Sequence, residues 1–215
     1  MRGPGPVEPW RPPEAVAEYR LIHALGEGGM GAVWLAEDTL LGRPAAVKFP
    51  RGLRGPLAAE ARLRFLLEGR ALARLRHPNV VAVYCAGTLG DQPYLATELV
   101  LGPDLGALPL PADPEVVRTV AVDLARGLSA AHRAGILHRD VKPANALRSD
   151  DGAVKLVDFG LAAIGPPAAE PGRLAGTPHY LAPELWSGGA ATRRTDLYAL
   201  GVLLYRLLTG HHPHE

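Results

Sequence analysis

The sequence predicts an α+β fold of two lobes: an antiparallel five-stranded sheet with one helix over residues 19–98, then a mainly helical part over residues 99–215. Three patterns predict it. Short β-like runs separated by Gly and Pro fill the first part, one stretch of helical period interrupts them at 57–75, and two long helical stretches dominate the second part.

Residues 1–18 are rich in Pro and Gly without a hydrophobic period and read as a flexible leader. Runs at 20–25, 31–36 and 44–49 give a meander of strands with turn signals between them. Over 57–75, Leu63, Leu67, Ala71 and Leu75 recur at helical spacing with charges between, which marks them as the expected buried face. His77-Pro78-Asn79 stops that helix, and residues 80–86 and 94–98 complete the five strands. A Gly- and Pro-containing stretch, 99–111, leads into the second lobe. There Asp113 suits an N-cap, Pro114 the first helical position and Gly135 the C-terminal stop. Val117, Val120, Ala121, Leu124, Leu128 and Ala131 give this helix a core face, and 195–208 reads as a second, more apolar helix. No internal repeat is visible.

With 47% hydrophobic residues, 215 residues can bury a sizeable core, so disorder throughout is excluded. The 23 basic and 22 acidic residues leave a net charge of +1, and no global field argues for nucleic acid or an anionic membrane as a partner. The longest apolar stretch, 197–208, is interrupted by Gly201 and Arg206 and falls short of the about 20 residues a membrane span needs. Cys85 is the only cysteine and residues 1–10 have no apolar core of signal-peptide length, so the expected location is cytoplasmic.

Arginine outnumbers lysine 20 to three, the lysines being Lys48, Lys142 and Lys155, and the only asparagines are Asn79 and Asn145. A motif that demands Lys or Asn is therefore hard to match by composition alone. Lysine is a compact point charge on a thin stem, which a narrow phosphate pocket can require where the broad arginine fork would not fit. Lys48 lies in an otherwise apolar run, Ala46-Val47-Lys48, where an ammonium needs a phosphate or carboxylate unless it snorkels at an edge. Gly26-Glu27-Gly28-Gly29-Met30-Gly31-Ala32-Val33 fits a loop whose backbone N–H groups approach phosphate oxygens. A plain glycine-rich hairpin is the alternative, and a dinucleotide site is disfavoured because a strand, not a helix, follows.

His138-Arg139-Asp140-Val141-Lys142-Pro143-Ala144-Asn145, followed by Asp158-Phe159-Gly160 and Gly176-Thr177-Pro178 through Ala182-Pro183-Glu184, resembles the ordered signature of serine/threonine protein kinases of bacterial type. The resemblance covers about residues 19–215 and implies a bilobal kinase-like fold. It implies an ATP- and magnesium-dependent transferase acting on Ser/Thr hydroxyls of protein substrates. Asp140 would receive or orient the hydroxyl proton, Lys142 would reach the transferred group, and Asn145 and Asp158 would hold magnesium. Lys48 would pair with Glu68, which lies nine residues before His77. Nucleotide contacts would come from Gly26, Gly28, Gly31, Val33, Ala46, Lys48, Glu98, Val100 and Leu147, with Thr97 guarding the pocket. Thr177 would bond the catalytic Asp and Lys, Asp196 would brace the catalytic loop, and His138 reads as a packed core histidine.

Two departures stand out. The match stops at His211-His212-Pro213-His214-Glu215, where the family continues with further helices, so the second lobe reads as incomplete. Glu184 would then lack its arginine, and the 197–208 helix would expose apolar surface suited to association. A truncated, non-catalytic nucleotide-binding or interaction module is the alternative this ending favours. The terminal histidines have no matching Cys or acidic cluster and read as a loop end, not a metal site. Between Asp158 and Gly176 there is no Ser, Thr or Tyr. Arg139 thus lacks a phosphorylatable partner there, and Glu170 or Glu184 is expected to meet its charge.

Overall fold

The computed structural model describes residues 11–29, 31–160 and 178–213. Its first lobe is a mixed-length antiparallel sheet of six strands: β1 (Ala15–Val16), β2 (Tyr19–Gly28), β3 (Gly31–Asp38), β4 (Arg43–Pro50), β5 (Val83–Leu89) and β6 (Gln92–Glu98), ordered β1-β2-β3-β4-β6-β5. The five expected strands are all present. The sixth, β1, pairs Val16 with Tyr19 and buries Val16, so the folded part reaches back into the residues read as a leader. Two or three residues leave no measurable period, which is why β1 was not predicted.

Alternation along β4 divides its side chains between the two faces of the sheet. Ala45, Val47 and Phe49 join Tyr19, Ala36 and Tyr94 in a small outer core, while Ala46 and Lys48 face a cleft between the lobes. The β3–β4 turn is fixed by Asp38, whose carboxylate accepts from Leu41 N at 3.0 Å and Arg43 Nε at 3.1 Å. At the start of β3, Gly31 has φ +135°, and a Cβ there would sit 2.1 Å from the Phe49 carbonyl oxygen. Only glycine lets β3 lie this close to β4.

Helix α1 (Ala59–Leu72) packs against the inner face of the sheet through Ala61, Phe65, Gly69 and Leu72. This corrects the expected face: Leu63 and Leu67 are 56% and 53% exposed, although Ala71 and Leu75 do pack against the core. The stretch carries several apolar rows of Leu and Ala, and its periodicity does not choose among them. Phe65 does, as the one aromatic, and Gly69 does, because a Cβ there would come within 3.0 Å of Leu95 Cδ1.

The second lobe contains α2 (Pro114–Arg133), the hairpin β7 (Ala146–Arg148) and β8 (Val154–Leu156), the short α3 (Pro183–Trp186), and α4 (Arg193–Thr209). The Asp113 carboxylate caps α2 by accepting from Glu115 N at 2.8 Å, and Gly135 follows with φ +75°. Thr192 and Thr195 form a reciprocal capping box on α4, and Gly210 ends it in the left-handed conformation. One large core runs through both lobes, joining Phe65, Leu72 and Leu95 to Leu124, Leu128, Leu156 and Leu203. On the other side of α4, Leu197, Tyr205 and Leu208 are about half exposed, as is Trp186 of α3, as expected for that helix. No helix among the described residues is long and apolar enough to cross a membrane.

Candidate active site

The cleft between the lobes has a volume of about 410 Å³. Leu25, Gly26, Val33 and Ala46 form its roof, Lys48, Leu95 and Thr97 its back, Glu98 to Val100 its outer wall, and Leu147, Val157 and Asp158 its floor. Of the residues expected to contact nucleotide, Gly28 and Gly31 alone do not line it. At Gly26 and Gly28 an added Cβ would meet nothing within 4 Å, so protein packing does not require glycine there. Space left open beside a cleft is what a ligand approaching the backbone needs.

The floor's working edge is the loop 138–145, held from below by α4. Asp196 is buried and its carboxylate accepts from His138 N at 2.9 Å and Arg139 N at 2.8 Å, with His132 Nε2 2.8 Å away. His138 is fully buried, lies 4.5 Å from the Phe159 ring between centroids, and has Nε2 3.1 Å from the Val157 carbonyl oxygen. Its Nδ1 accepts from Asp140 N at 3.3 Å, so the proton of the neutral ring sits on Nε2. Burial pushes this imidazole below its ordinary pKa, against the pull of the Asp196 and Asp140 carboxylates. As expected, His138 is a packed core residue and Asp196 braces the loop.

On this frame Asp140 Oδ2 accepts from Lys142 Nζ and from Asn145 Nδ2, both at 2.8 Å. Asn145 Nδ2 also donates to the Asp140 carbonyl at 2.8 Å, which fixes the amide and leaves its Oδ1 as an available donor to a cation. The β7–β8 hairpin, which the sequence reading missed, brings Asn145 beside Asp158: Ala146 pairs with Leu156, and Val157 N donates to the Asn145 carbonyl at 3.0 Å. Asp158 itself is held at φ +55°, a costly conformation for a side chain-bearing residue and one that collects at functional sites.

A carboxylate, that of Asp158, and an amide oxygen, that of Asn145, are hard donors of the kind magnesium takes, together with phosphate oxygens from a substrate. Among the described residues no group of three or more His, Cys, Asp or Glu could hold a metal, so a cation here would complete its shell with water or with oxygens of a bound molecule. Asn145 and Asp158 fit that requirement.

Glu68 is not where the lysine pairing requires it. Its carboxylate takes Arg139 Nη1 at 2.9 and 3.0 Å, and Lys48 Nζ lies instead 2.9 Å from Asp158 Oδ1. The physical reason is one of charge supply. Arg139 has no phosphorylatable neighbour in the segment after Asp158, and α1 carries Glu68 to within its reach. Arg139 thus pairs with Glu68, a partner the sequence did not point to. Glu184 is exposed, with no cation on its carboxylate among the described residues, and Glu170 and Thr177 lie outside the described residues. Thr97 stands at the back of the cleft, its hydroxyl donating to the Glu98 carbonyl at 3.1 Å.

A family model for the protein kinase domain matches residues 19–215. The chain belongs to the protein kinase family. Among curated relatives, the serine/threonine-protein kinase PknL of Mycobacterium tuberculosis is 43% identical over 204 residues, covering 92% of this chain and 50% of PknL. PknB of Mycobacterium leprae is 39% identical over 216 residues, covering 94% of this chain and 34% of that kinase. The crystal structure of the M. tuberculosis PknI kinase domain superposes with a TM-score of 0.71 at 31% identity, over 93% of this chain and 75% of that one. The chain thus spans half or less of the length of these curated relatives. The kinase likeness covers both lobes, and the loop 138–145 and Asp158 fall within it.

Proposed function

We propose that this kinase domain transfers the γ-phosphoryl group of ATP to serine or threonine hydroxyls of protein substrates, with magnesium as cofactor. One observation carries the reading: Asp140, Lys142, Asn145, Asp158 and Lys48 gather at one edge of a cleft that is otherwise lined mostly by apolar residues, among them Leu25, Val33, Ala46, Leu95 and Leu147. Among the described residues Asp140 has its Oδ2 fixed by Lys142 and Asn145 and its Oδ1 left for a substrate hydroxyl, which aims the carboxylate before substrate arrives. Lys142, bonded to Asp140, offsets negative charge where the phosphoryl group passes between oxygens. Lys48 enters the cleft from β4 with its ammonium already at the polar end, in reach of a carboxylate or phosphate. Magnesium, when bound, neutralises the phosphate oxygens, and Asn145 and Asp158 would hold it. ATP and magnesium are cytoplasmic reagents, which is where we place the domain.

The serine/threonine preference rests on Lys142 and on the names of the relatives. Incubation of the 215-residue chain with γ-labelled ATP, magnesium and generic Ser/Thr peptides tests the reading, alongside Asp140→Asn and Lys48→Met. Label transferred by wild type and lost in both variants is the expected result. Nucleotide binding with no transfer would favour a non-catalytic nucleotide-binding module instead.

A further inference from the structure

Lys155, the one lysine outside the catalytic edge, forms the tightest charged contact with the cleft's outer wall. Its Nζ lies 2.9 and 2.8 Å from the two carboxylate oxygens of Glu98, and both side chains are only 21% exposed. Glu98 is the last residue of β6 and the first of the wall. Its Oε1 also accepts from Ala82 N at 2.8 Å, and its own N–H donates to the Ala82 carbonyl at 2.9 Å. The segment before β5 is in turn laced to β8, through Val81 N to the Leu156 carbonyl at 2.9 Å and Leu156 N to the Asn79 carbonyl at 3.0 Å.

These contacts close a circuit. It runs from β8 through residues 79–82 to Glu98 and returns to β8 through the Lys155 side chain. On β8, Lys155 pairs in register with Leu147 of the cleft floor and stands three residues before Asp158. The outer wall and the floor therefore have a charge-assisted strut between them, in addition to the chain connection at 99–111. An arginine-rich chain places here one of its three lysines, whose thin stem can lie along a three-residue strand.

We propose that Lys155 is a positioning residue for nucleotide binding: by holding Glu98, it sets the spacing between the wall and the floor of the cleft. This rests on the nucleotide reading above. Without the strut, fewer molecules have the wall at its binding distance, and apparent affinity falls in proportion to that fraction.

The test is the Kd of a fluorescent ATP analogue for the 215-residue chain and for Lys155→Met, Lys155→Arg, Glu98→Gln and the double variant Lys155→Met/Glu98→Gln. All are measured well below their melting temperatures, which are recorded without nucleotide. Lys155→Met is expected to raise Kd about fivefold, equivalent to ~1 kcal/mol. Lys155→Arg, which keeps the charge and can span both Glu98 oxygens, should recover most of that loss. The double variant should be no worse than the poorer single one, because both single changes break the same contact. A lower melting temperature with an unchanged Kd, or losses that simply add, would overturn the proposal and leave nucleotide binding intact. Absence of analogue binding by the wild-type chain would overturn both.

Discussion

Gly28 and Gly31 stand three positions apart in one motif, yet the structure asks different things of them. Gly31 has φ +135° and would drive a Cβ into the Phe49 carbonyl, whereas Gly28 has open space. Gly31→Ala should therefore cost more than about 2 kcal/mol of stability, since a backbone carbonyl cannot step aside and the dihedral is strained. Gly28→Ala should cost less than about 1 kcal/mol of stability and should instead weaken nucleotide affinity. Urea melts and nucleotide titrations of the two variants check this, and the reverse order would mean that Gly28 serves the fold. The grouping of the loop 138–145 was legible because its contacts depend on local spacing and on scarce residue types. Lys142 and Asn145 lie within five positions of the Asp140 they hold. The partner of Glu68 was not legible. It depends on where α1 comes to rest over the second lobe, and two cations, Lys48 and Arg139, compete for one carboxylate.

Among the elements, α1 gives the sharpest correction. Its apolar positions outnumber those one face can bury, so the choice of face falls to the shape of the sheet beneath it. Phe65 is fully buried and Leu63 is more than half exposed. Phe65→Ala should then cost about 3–5 kcal/mol and Leu63→Ala no more than about 0.5 kcal/mol. Chemical denaturation reads both, and equal losses would restore the face drawn from periodicity. Helix α2 was read almost to the residue because Asp113, Pro114 and Gly135 mark its ends and one face alone is apolar. The β7–β8 hairpin escaped notice for the opposite reason. Strands of three residues carry less than two full alternations, yet this pair brings the amide of Asn145 beside Asp158.

At the scale of the whole molecule, the two-lobed plan was predicted from the change of period along the chain, and the shared core through Phe65, Leu95, Leu128 and Leu203 makes the lobes interdependent. A buried histidine packed against Phe159 of that core links it to pH. Burial keeps the His138 imidazole below its ordinary pKa, so the unfolded chain takes up this proton first as pH falls through about 6.5. Stability contributed by neutral His138 is full above that value and declines below it. The melting temperature should fall between about pH 7.5 and about pH 5.5, and by less in His138→Gln. Equal falls in the two proteins would place the titrating group elsewhere.

The reading as a phosphotransferase depends on Asp140 acting on the acceptor hydroxyl and not merely bonding its neighbours. Single-turnover transfer from γ-labelled ATP to a serine peptide, with nucleotide saturating, measures that step directly. Asp140→Asn should slow it by about 10²–10⁴-fold while nucleotide affinity stays within about threefold of wild type. Transfer by Asp140→Asn at the wild-type rate would contradict it.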